Sequence, residues 1–446
     1  MIKKFVQTIK NIWKIEDLRT RIGYTLLFVF LYRVGSFVVL PGIDANKLGA
    51  LESQTDEGLM ALLNMFSGGA FSNASIFALG IMPYISASIV VQLLAIAVPS
   101  FQKMQREGES GRRKINQITR WLTLFILLFQ APSYLLNLQH TSGAALGAGL
   151  DWTFFMISST IILAAGSMFI LWLGERITDK GIGNGVSIII MIGIIARFPL
   201  AITQEFTSRV EGAVGGGLIM FVIELLLFVA VICAGVALLQ GTRRVPVQYA
   251  KQSASGATYS GARQYLPLKV NAANVMPIIF AQAILFIPLA FVSYGGSEAE
   301  SSWFVRNMMD HTGWLYNLIF AAMIIAFTYF YTAITINPVQ MAEDMKRNNG
   351  FIPGIKPGKP TAEYIDTVMT RITFPGSLFL AAIAVLPAVA GKLLGVQTEF
   401  ASFFGGTSLL ILVGVVLDTL QQIESHLLMR HYDGLLNSGR IKGRVG

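Results

Sequence analysis

Long apolar segments recur along the whole chain and limit what it can fold into. A membrane-crossing helix needs about 20 largely apolar residues to span roughly 30 Å of hydrocarbon. Backbone polar groups in lipid must be satisfied within the protein, so such segments are predicted to be helices. Ten segments qualify: 23–40, 76–98, 121–138, 152–173, 185–202, 217–239, 272–292, 314–336, 372–394 and 407–429. The pattern predicts an all-α polytopic membrane protein with ten transmembrane helices.

The composition excludes two other classes of protein. Hydrophobic types make up 54% of the chain and charged types 13%, whereas a soluble domain has about 25% charged residues. A folded surface with so little charge is not that of a soluble enzyme. Disordered chains are excluded too, because they are poor in the aliphatic residues that dominate here.

Basic residues concentrate on one side of the predicted membrane. Ten crossings place both termini on the same side, and the segments on that side carry 28 of the 34 Lys and Arg residues, against 6 for the opposite side. Cytoplasmic connections carry the Lys/Arg excess in membrane proteins. Both termini are therefore predicted to be cytosolic.

The ten spans divide into two sets of five. If residues 1–205 and 206–446 are structural repeats, an odd number of crossings makes the second inverted relative to the first. Pro83 and Pro277 occupy similar depths in the second and seventh spans, which are corresponding members of the two halves. Corresponding broken helices indicate the working interface of a repeat-built transporter.

Two cytosolic connections, 240–269 and 341–371, are far longer than the usual four to six residues. The positive charge of these connections either only sets the orientation of the protein in the membrane or also docks an anionic partner such as ribosomal RNA. Length favours docking, and the Pro- and Gly-rich run 353–360 predicts a shaped tip. The candidate docking residues are Arg243, Arg244, Lys251, Arg263, Lys269, Lys346, Arg347, Lys356 and Lys359.

A short apolar segment, 59–66, precedes Ser67, Gly68 and Gly69 on the outer side. It is too short to cross the membrane. It either folds back into the protein, where its broken backbone finds partners, or lies as an amphipathic helix in the interface.

Catalytic and metal signatures are missing from the sequence. There is no P-loop, HExxH or GxSxG motif, and the four histidines and Cys233 show no metal-ligand spacing. We therefore expect neither an enzyme nor a cofactor. Glu224 lies within an apolar span, either as a functional group or as a packing residue that is protonated or hydrogen-bonded. A secondary transporter of small solutes, with Glu224 and Asp418 in coupling, is the alternative function.

Seven ordered motifs resemble the SecY family of bacterial protein-conducting channels, essentially end to end. They are Asn64 to Gly69, Ala78 to Ile89, Glu107 to Lys114, Gly174 to Gly185, Leu266 to Asn271, Phe351 to Gly358, and Gly405 to Ile411. The resemblance implies an hourglass pore between two inverted halves, closed at its waist by apolar side chains. Spacing alone favours lipid contact or core packing for Ile81 and Ile85, whereas the resemblance places them in this ring. The implied ring is Ile81, Ile85, Val186, Ile190, Ile279 and Ile411.

The resemblance also implies a plug, residues 60–75, that seals the outer funnel. Its motif residues are Met60, Leu63, Asn64, Phe66, Ser67, Gly68 and Gly69. A lateral gate between spans 2 and 3 and spans 7 and 8 would release signal peptides and nascent membrane segments into the lipid bilayer, with Gln92 and Asn184 as polar gate contacts.

The family's partners are implied as well. They are the ATPase SecA or a translating ribosome at the two long loops, and the small membrane subunits SecE and SecG, all at the bacterial cytoplasmic membrane. One position departs from the pattern: Lys356 stands where the family usually has an arginine that is important for partner action. Lysine keeps the charge but loses the planar bidentate fork of arginine.

Overall fold

The computed structural model describes residues 13, 15–44, 48, 64–142, 151–211, 217–249, 264–282, 284–285, 307 and 313–437. The chain forms two compact units. The first comprises 1–203 with 415–446, and the second 204–414. The boundary at 203/204 lies two residues from the predicted division at 205/206, but 415–446 groups with the first unit. The inverted relation of the halves remains a prediction.

The first unit is helical. Its elements are α1 (Glu16–Gly35), α2 (Met82–Ala97), α3 (Pro99–Arg106), α4 (Glu109–Ser142), α5 (Trp152–Lys180) and most of α6 (Gly185–Val210). Helix α4 packs against both α2 and α5, and α1 packs on α5. Their core joins Leu135 and Leu163 to Phe71 and Ala78, which come from the segment before α2.

The second unit holds the remaining helices and a small sheet. In chain order these are α7 (Gly217–Gln240), β1 (Thr242–Tyr249), β2 (Gln264–Lys269), α8 (Trp314–Thr335), α9 (Pro338–Arg347), β3 (Gly350–Phe351), α10 (Lys359–Leu394), α11 (Thr398–Ala401) and the start of α12 (Gly406–Asn437). The rest of α12, from residue 415, belongs to the first unit. Residues 276–282 are also helical. Helix α8 packs along α10, and their core contains Ile278, Phe320, Ile324, Leu380 and Leu410.

Within the described residues, seven helical segments are long and apolar enough to cross a bilayer, and the bent α2–α3 pair would make an eighth. The seven begin at Glu109, Trp152, Gly185, Gly217, Trp314, Lys359 and Gly406. They coincide with the third to sixth and eighth to tenth predicted spans. The seventh predicted span, 272–292, lies partly outside the described residues. The prediction of an all-α polytopic membrane protein is confirmed.

The first two spans differ from the predicted bounds. Helix α1 covers Glu16–Gly35 rather than 23–40, because the chain after it pairs with residues 74–76. The Leu40 N–H donates to the Ala74 carbonyl and the Ile76 N–H to the Val38 carbonyl, each at 2.9 Å. Residues 76–81 are turns, so α2 is shorter than the predicted 76–98, and α3 follows it at an angle of 102°.

Pro83 and Pro277, the two prolines at similar depths in the second and seventh predicted spans, each lie at the start of a helix and not inside a long span. Pro83 is in the first turn of α2, and Pro277 is the second residue of the helix 276–282. The first turn of a helix has no intrahelical acceptor for its N–H groups, so proline is favourable there. Each of the two helices therefore begins with a Met-Pro pair that follows a stretch of turns.

Candidate functional site

The predicted ring residues lie in both units. In the first unit, Ile81 caps the start of α2 and Ile85 follows one turn later, with the Ile85 N–H donating to the Ile81 carbonyl at 3.1 Å. Val186 and Ile190 occupy successive turns at the start of α6. The second unit holds Ile279 in the helix 276–282 and Ile411 in α12. Ile81, Ile190 and Ile411 are buried, and Ile85, Val186 and Ile279 are partly buried. That the six close one ring remains a prediction.

The described part of the predicted plug, 64–75, folds back into the first unit. Asn64 is 0% exposed and Phe66 is 6% exposed. This burial contradicts the alternative of an interfacial helix for these residues. Met60 and Leu63 lie outside the described residues.

Internal hydrogen bonds give the plug a defined shape. The Asn64 carbonyl accepts from the Gly69 N–H at 2.9 Å and from the Ser67 hydroxyl at 3.1 Å, while the Asn64 Oδ1 accepts from the Ser72 N–H at 3.1 Å. Gly68 and Gly69 take φ values of +65° and +88°, in the left-handed region that favours glycine. The segment is therefore a compact turn that depends on its Asn-x-x-Ser-Gly-Gly pattern.

Four residues that contact the plug were not identified from the sequence. Tyr32 and Arg33 of α1 donate to the carbonyls of Ser67 and Gly68, at 3.0 and 2.9 Å, and Tyr134 of α4 donates to the Phe71 carbonyl at 2.9 Å. A Cβ atom on Gly193 of α6 would lie 2.8 Å from the Phe66 carbonyl oxygen, so only glycine fits there without a shift. Of the four, Arg33 could have been singled out from the sequence, because an ionisable residue inside a predicted span is a functional candidate by default.

The two predicted gate residues make local contacts. The Asn184 side chain, at the start of α6, accepts from the N–H groups of Val186 and Ser187 at 3.1 and 3.4 Å. This is helix N-capping, which satisfies otherwise unpaired donors. The Gln92 amide donates to the Ser88 hydroxyl at 3.2 Å, one turn earlier in α2. Their role at a gate remains a prediction.

The two long basic loops form one structure. Strand β1 pairs antiparallel with β2 from the same loop and with β3 from the other loop, in the order β2-β1-β3. A shared core lies beneath the sheet, where Val245, Val247 and Leu268 meet Met345, Ile352, Ile365 and Met369 from the second loop. Neither the sheet nor the pairing of the two loops is predicted from the sequence.

The three strands and the core beneath them, within 240–269 and 341–371, are called the sheet domain below, and basic side chains are exposed on its surface. Arg244 pairs with Pro267 across the two strands, and Lys269 pairs with Thr242 one position further along the same exposed face. The described candidate docking residues of both loops are all exposed: Arg243, Arg244, Lys269, Lys346, Arg347, Lys356 and Lys359. Lys251 and Arg263 lie outside the described residues.

The Pro- and Gly-rich tip has a fixed conformation. Gly354 and Gly358 take φ values of +85° and +102°. The Thr361 hydroxyl donates to the Lys356 carbonyl at 2.9 Å, which ties the tip to the first turn of α10. The tip therefore presents an exposed Lys356 on a shaped turn.

Glu224 has a buried partner, Arg209, that sequence spacing does not reveal. It forms an ion pair with Arg209, which also binds Glu205 through its Nε at 2.9 Å. Arg209 is 2% exposed and both carboxylates are 0% exposed. The charge count assigns Arg209 to the outer side as one of its six basic residues, but the residue is buried inside the second unit. It also donates to the Leu394 carbonyl at 2.8 Å, which links α6, α7 and the end of α10.

Comparison with known proteins gives one consistent family. The SecY family model matches residues 75–420. The protein translocase subunit SecY of Thermotoga maritima is 41% identical over 445 residues, which cover 98% of this chain and 99% of the relative.

Two solved structures share the fold. One is a SecY channel whose plug domain stabilises the closed state and maintains a membrane seal, with a TM-score of 0.60 at 14% identity, covering 91% of this chain and 92% of the other. The other is Sec61 in the canine ribosome–channel complex from the endoplasmic reticulum, with a TM-score of 0.58 at 15% identity and the same coverage. On the family model and the full-length relative, this chain belongs to the SecY family.

Proposed function

We propose that this chain is the pore-forming subunit of a protein-conducting channel. It moves unfolded preproteins across the bacterial cytoplasmic membrane and releases membrane segments sideways into lipid. The observation that carries the proposal is membership of the SecY family along nearly the whole chain. The proposal gives the chain no catalytic step.

The closed state depends on an aliphatic constriction. We assign it to Ile81, Ile85, Val186, Ile190, Ile279 and Ile411, of which three are buried and three partly buried. Branched aliphatic side chains resist wetting and so block ions. They also offer no polar site to which a passing polypeptide would bind.

The plug supplies a second seal. Its described residues, except the partly buried Asn73, are buried in the first unit, and Phe66 and Gly68 lie beside α6, the helix that carries Val186 and Ile190. A plug that stabilises the closed state of a SecY channel of the same fold supports this assignment.

The energy for transport comes from partners that dock on the sheet domain. The exposed basic residues of both loops suit an anionic surface such as ribosomal RNA, because phosphate groups attract Lys and Arg whatever the nucleotide sequence. Sec61, which shares the fold, forms a complex with the ribosome. We propose the ribosome and the ATPase SecA as partners at this domain, and SecE and SecG as membrane subunits.

The orientation follows from charge. With 28 of 34 Lys and Arg residues on one side, we place the sheet domain and both termini in the cytosol. No observation favours the transporter of small solutes, since Glu224 is held in an ion pair with Arg209.

Polar substitution of the constriction tests the proposal. In the complete channel complex, Ile81→Asn, Ile190→Asn and Ile411→Asn are expected to raise resting ion conductance in planar bilayers and to improve export of preproteins with weak signal sequences. Ile81→Leu, Ile190→Leu and Ile411→Leu are the matched controls, because they keep an aliphatic surface of equal volume. Unchanged conductance together with unchanged export in the Asn variants would contradict the proposal.

A further inference from the structure

Helix α1 touches the plug with two adjacent polar side chains. The Tyr32 hydroxyl donates to the Ser67 carbonyl at 3.0 Å, and the Arg33 Nη1 donates to the Gly68 carbonyl at 2.9 Å. Tyr32 is 1% exposed. Two consecutive residues of one helix thus hold two consecutive carbonyls of the plug.

The plug keeps its own internal hydrogen bonds where α1 contacts it. Gly68 and Gly69 have positive φ values, so the chain leaves helical geometry after residues 64–66. The N–H groups of Gly68 and Gly69 donate inside the plug to the Met65 and Asn64 carbonyls, and the Ser67 carbonyl, besides its bond from Tyr32, accepts from the Ala70 N–H at 3.4 Å. The contacts with α1 therefore add to the plug's own hydrogen bonds and do not replace any of them.

The donors on α1 are held in position by aromatic contacts. The Tyr32 ring stacks on Phe77, with centroids 6.3 Å apart and an interplanar angle of 10°. The Arg33 guanidinium lies over the Phe37 ring, 5.1 Å from its centroid. Oriented donors lose little side-chain freedom when they bind, which favours a specific closed arrangement.

The opposite wall of the plug is α6. A Cβ atom on Gly68 would lie 2.9 Å from both Arg33 Nη1 and the Gly193 Cα. The turn at Gly68 is thus held between α1 and the helix that carries Ile190 and Val186. Withdrawal of the plug has to break the bonds from α1 and leave the close contact with Gly193.

We propose that Tyr32 and Arg33 form a latch that fixes the plug in the closed state and sets how strong a signal sequence must be to open the channel. The inference rests on the proposed channel function. Neither residue contacts the transported chain in this role. They are positioning residues that act through the Ser67 and Gly68 carbonyls.

Two conservative variants test the latch in the complete channel complex. Tyr32→Phe removes one hydroxyl, and Arg33→Gln removes the charge but keeps a polar side chain. We expect each to raise resting ion conductance about tenfold, equivalent to ~1.4 kcal/mol in the open–closed equilibrium. Export of weak-signal preproteins should rise, whereas export of strong-signal preproteins should stay at the level of the unmodified protein. Arg33→Lys should restore most of the seal.

Matched controls come from the same helix. Tyr24→Phe alters a tyrosine that is 40% exposed, and Arg19→Gln alters an exposed arginine. Neither should change conductance. A purely structural role for Tyr32 and Arg33 would instead lower the thermal midpoint of the complex and reduce export of all preproteins equally, and that result would overturn the latch.

A plug deletion separates the latch from the function on which it rests. In a variant without residues 60–74, conductance should be high, and Tyr32→Phe or Arg33→Gln should not raise it further. If the deletion raises conductance but neither single variant does so in the intact chain, the latch proposal is wrong and the plug assignment is retained. If the deletion leaves conductance unchanged, the plug assignment itself fails.

Discussion

At the scale of single residues, the buried cluster around Arg209 separates what the sequence can predict from what it cannot. Glu205 and Arg209 are four residues apart on α6, a spacing that places them on one helix face and is readable from the sequence. The third member, Glu224, belongs to α7 and meets Arg209 only after α6 and α7 pack. The sequence alone therefore shows Glu224 as an isolated acid and does not decide between a functional group and a packing residue.

Removal of Arg209 should destabilise the second unit strongly. Arg209→Ala leaves two carboxylates buried without their counter-charge, which costs about 3–5 kcal/mol for a buried pair. Arg113→Ala is the control, because Arg113 and its partner Glu109 are each 80% exposed and such pairs are worth about 0–1 kcal/mol. Thermal unfolding of the complex should show a large fall in midpoint for the first variant and little for the second. Equal midpoints would contradict the structural role of the cluster.

Neutralisation of Glu224 distinguishes the channel from a proton-coupled carrier. Glu224→Gln keeps the side-chain volume and one acceptor for Arg209, while Glu205 keeps its own bond to the arginine. We expect export of preproteins in vesicles to stay near the level of the unmodified protein. Loss of transport with retained folding would support the coupling role of the small-solute alternative.

At the scale of elements, the helices were more predictable than the connections. Twenty-residue apolar runs determine where a chain crosses lipid, and seven predicted spans coincide with described helices. The small sheet was not predicted, although buried Val245 and Val247 of β1 alternate with exposed Arg244 and Pro246, as in a half-buried strand. The pairing of β1 with β3 joins residues about 100 positions apart, and local pattern carries no information about that contact.

The exposed face of the sheet should control partner affinity. Arg244→Glu combined with Lys269→Glu reverses two charges on neighbouring positions of one face. We expect ribosome affinity to fall about tenfold at low salt and less at high salt, because exposed charges are screened. Binding of ribosomes to channel vesicles across a salt series measures this.

Lys392→Glu supplies the control for that measurement, since Lys392 is an exposed residue near the end of α10, on the predicted outer side. Equal losses for the control and the double variant would mean that overall charge, and not the sheet face, governs docking.

At the scale of the whole molecule, charge and apolar surface have separate roles. Nearly all the basic excess belongs to the segments predicted to be cytosolic, and the sheet domain carries an exposed part of it. The sequence predicted the fold class and the apolar ring candidates. It did not reveal which side chains hold the plug, because Tyr32 and Arg33 reach Ser67 and Gly68 across 35 positions of sequence.

The central claim is that a polypeptide passes through the predicted apolar ring. Photo-crosslinking to a secretory chain stalled in the complete channel tests it most directly. The photoreactive residue is placed in the channel, in turn at Ile81, Ile85, Val186, Ile190, Ile279 and Ile411. Ile219 and Leu226, which are 77% and 67% exposed on α7, serve as lipid-facing controls. We predict adducts at ring positions of both units and none at the controls. Adducts at the controls alone, or at ring positions of one unit only, would contradict a central pore.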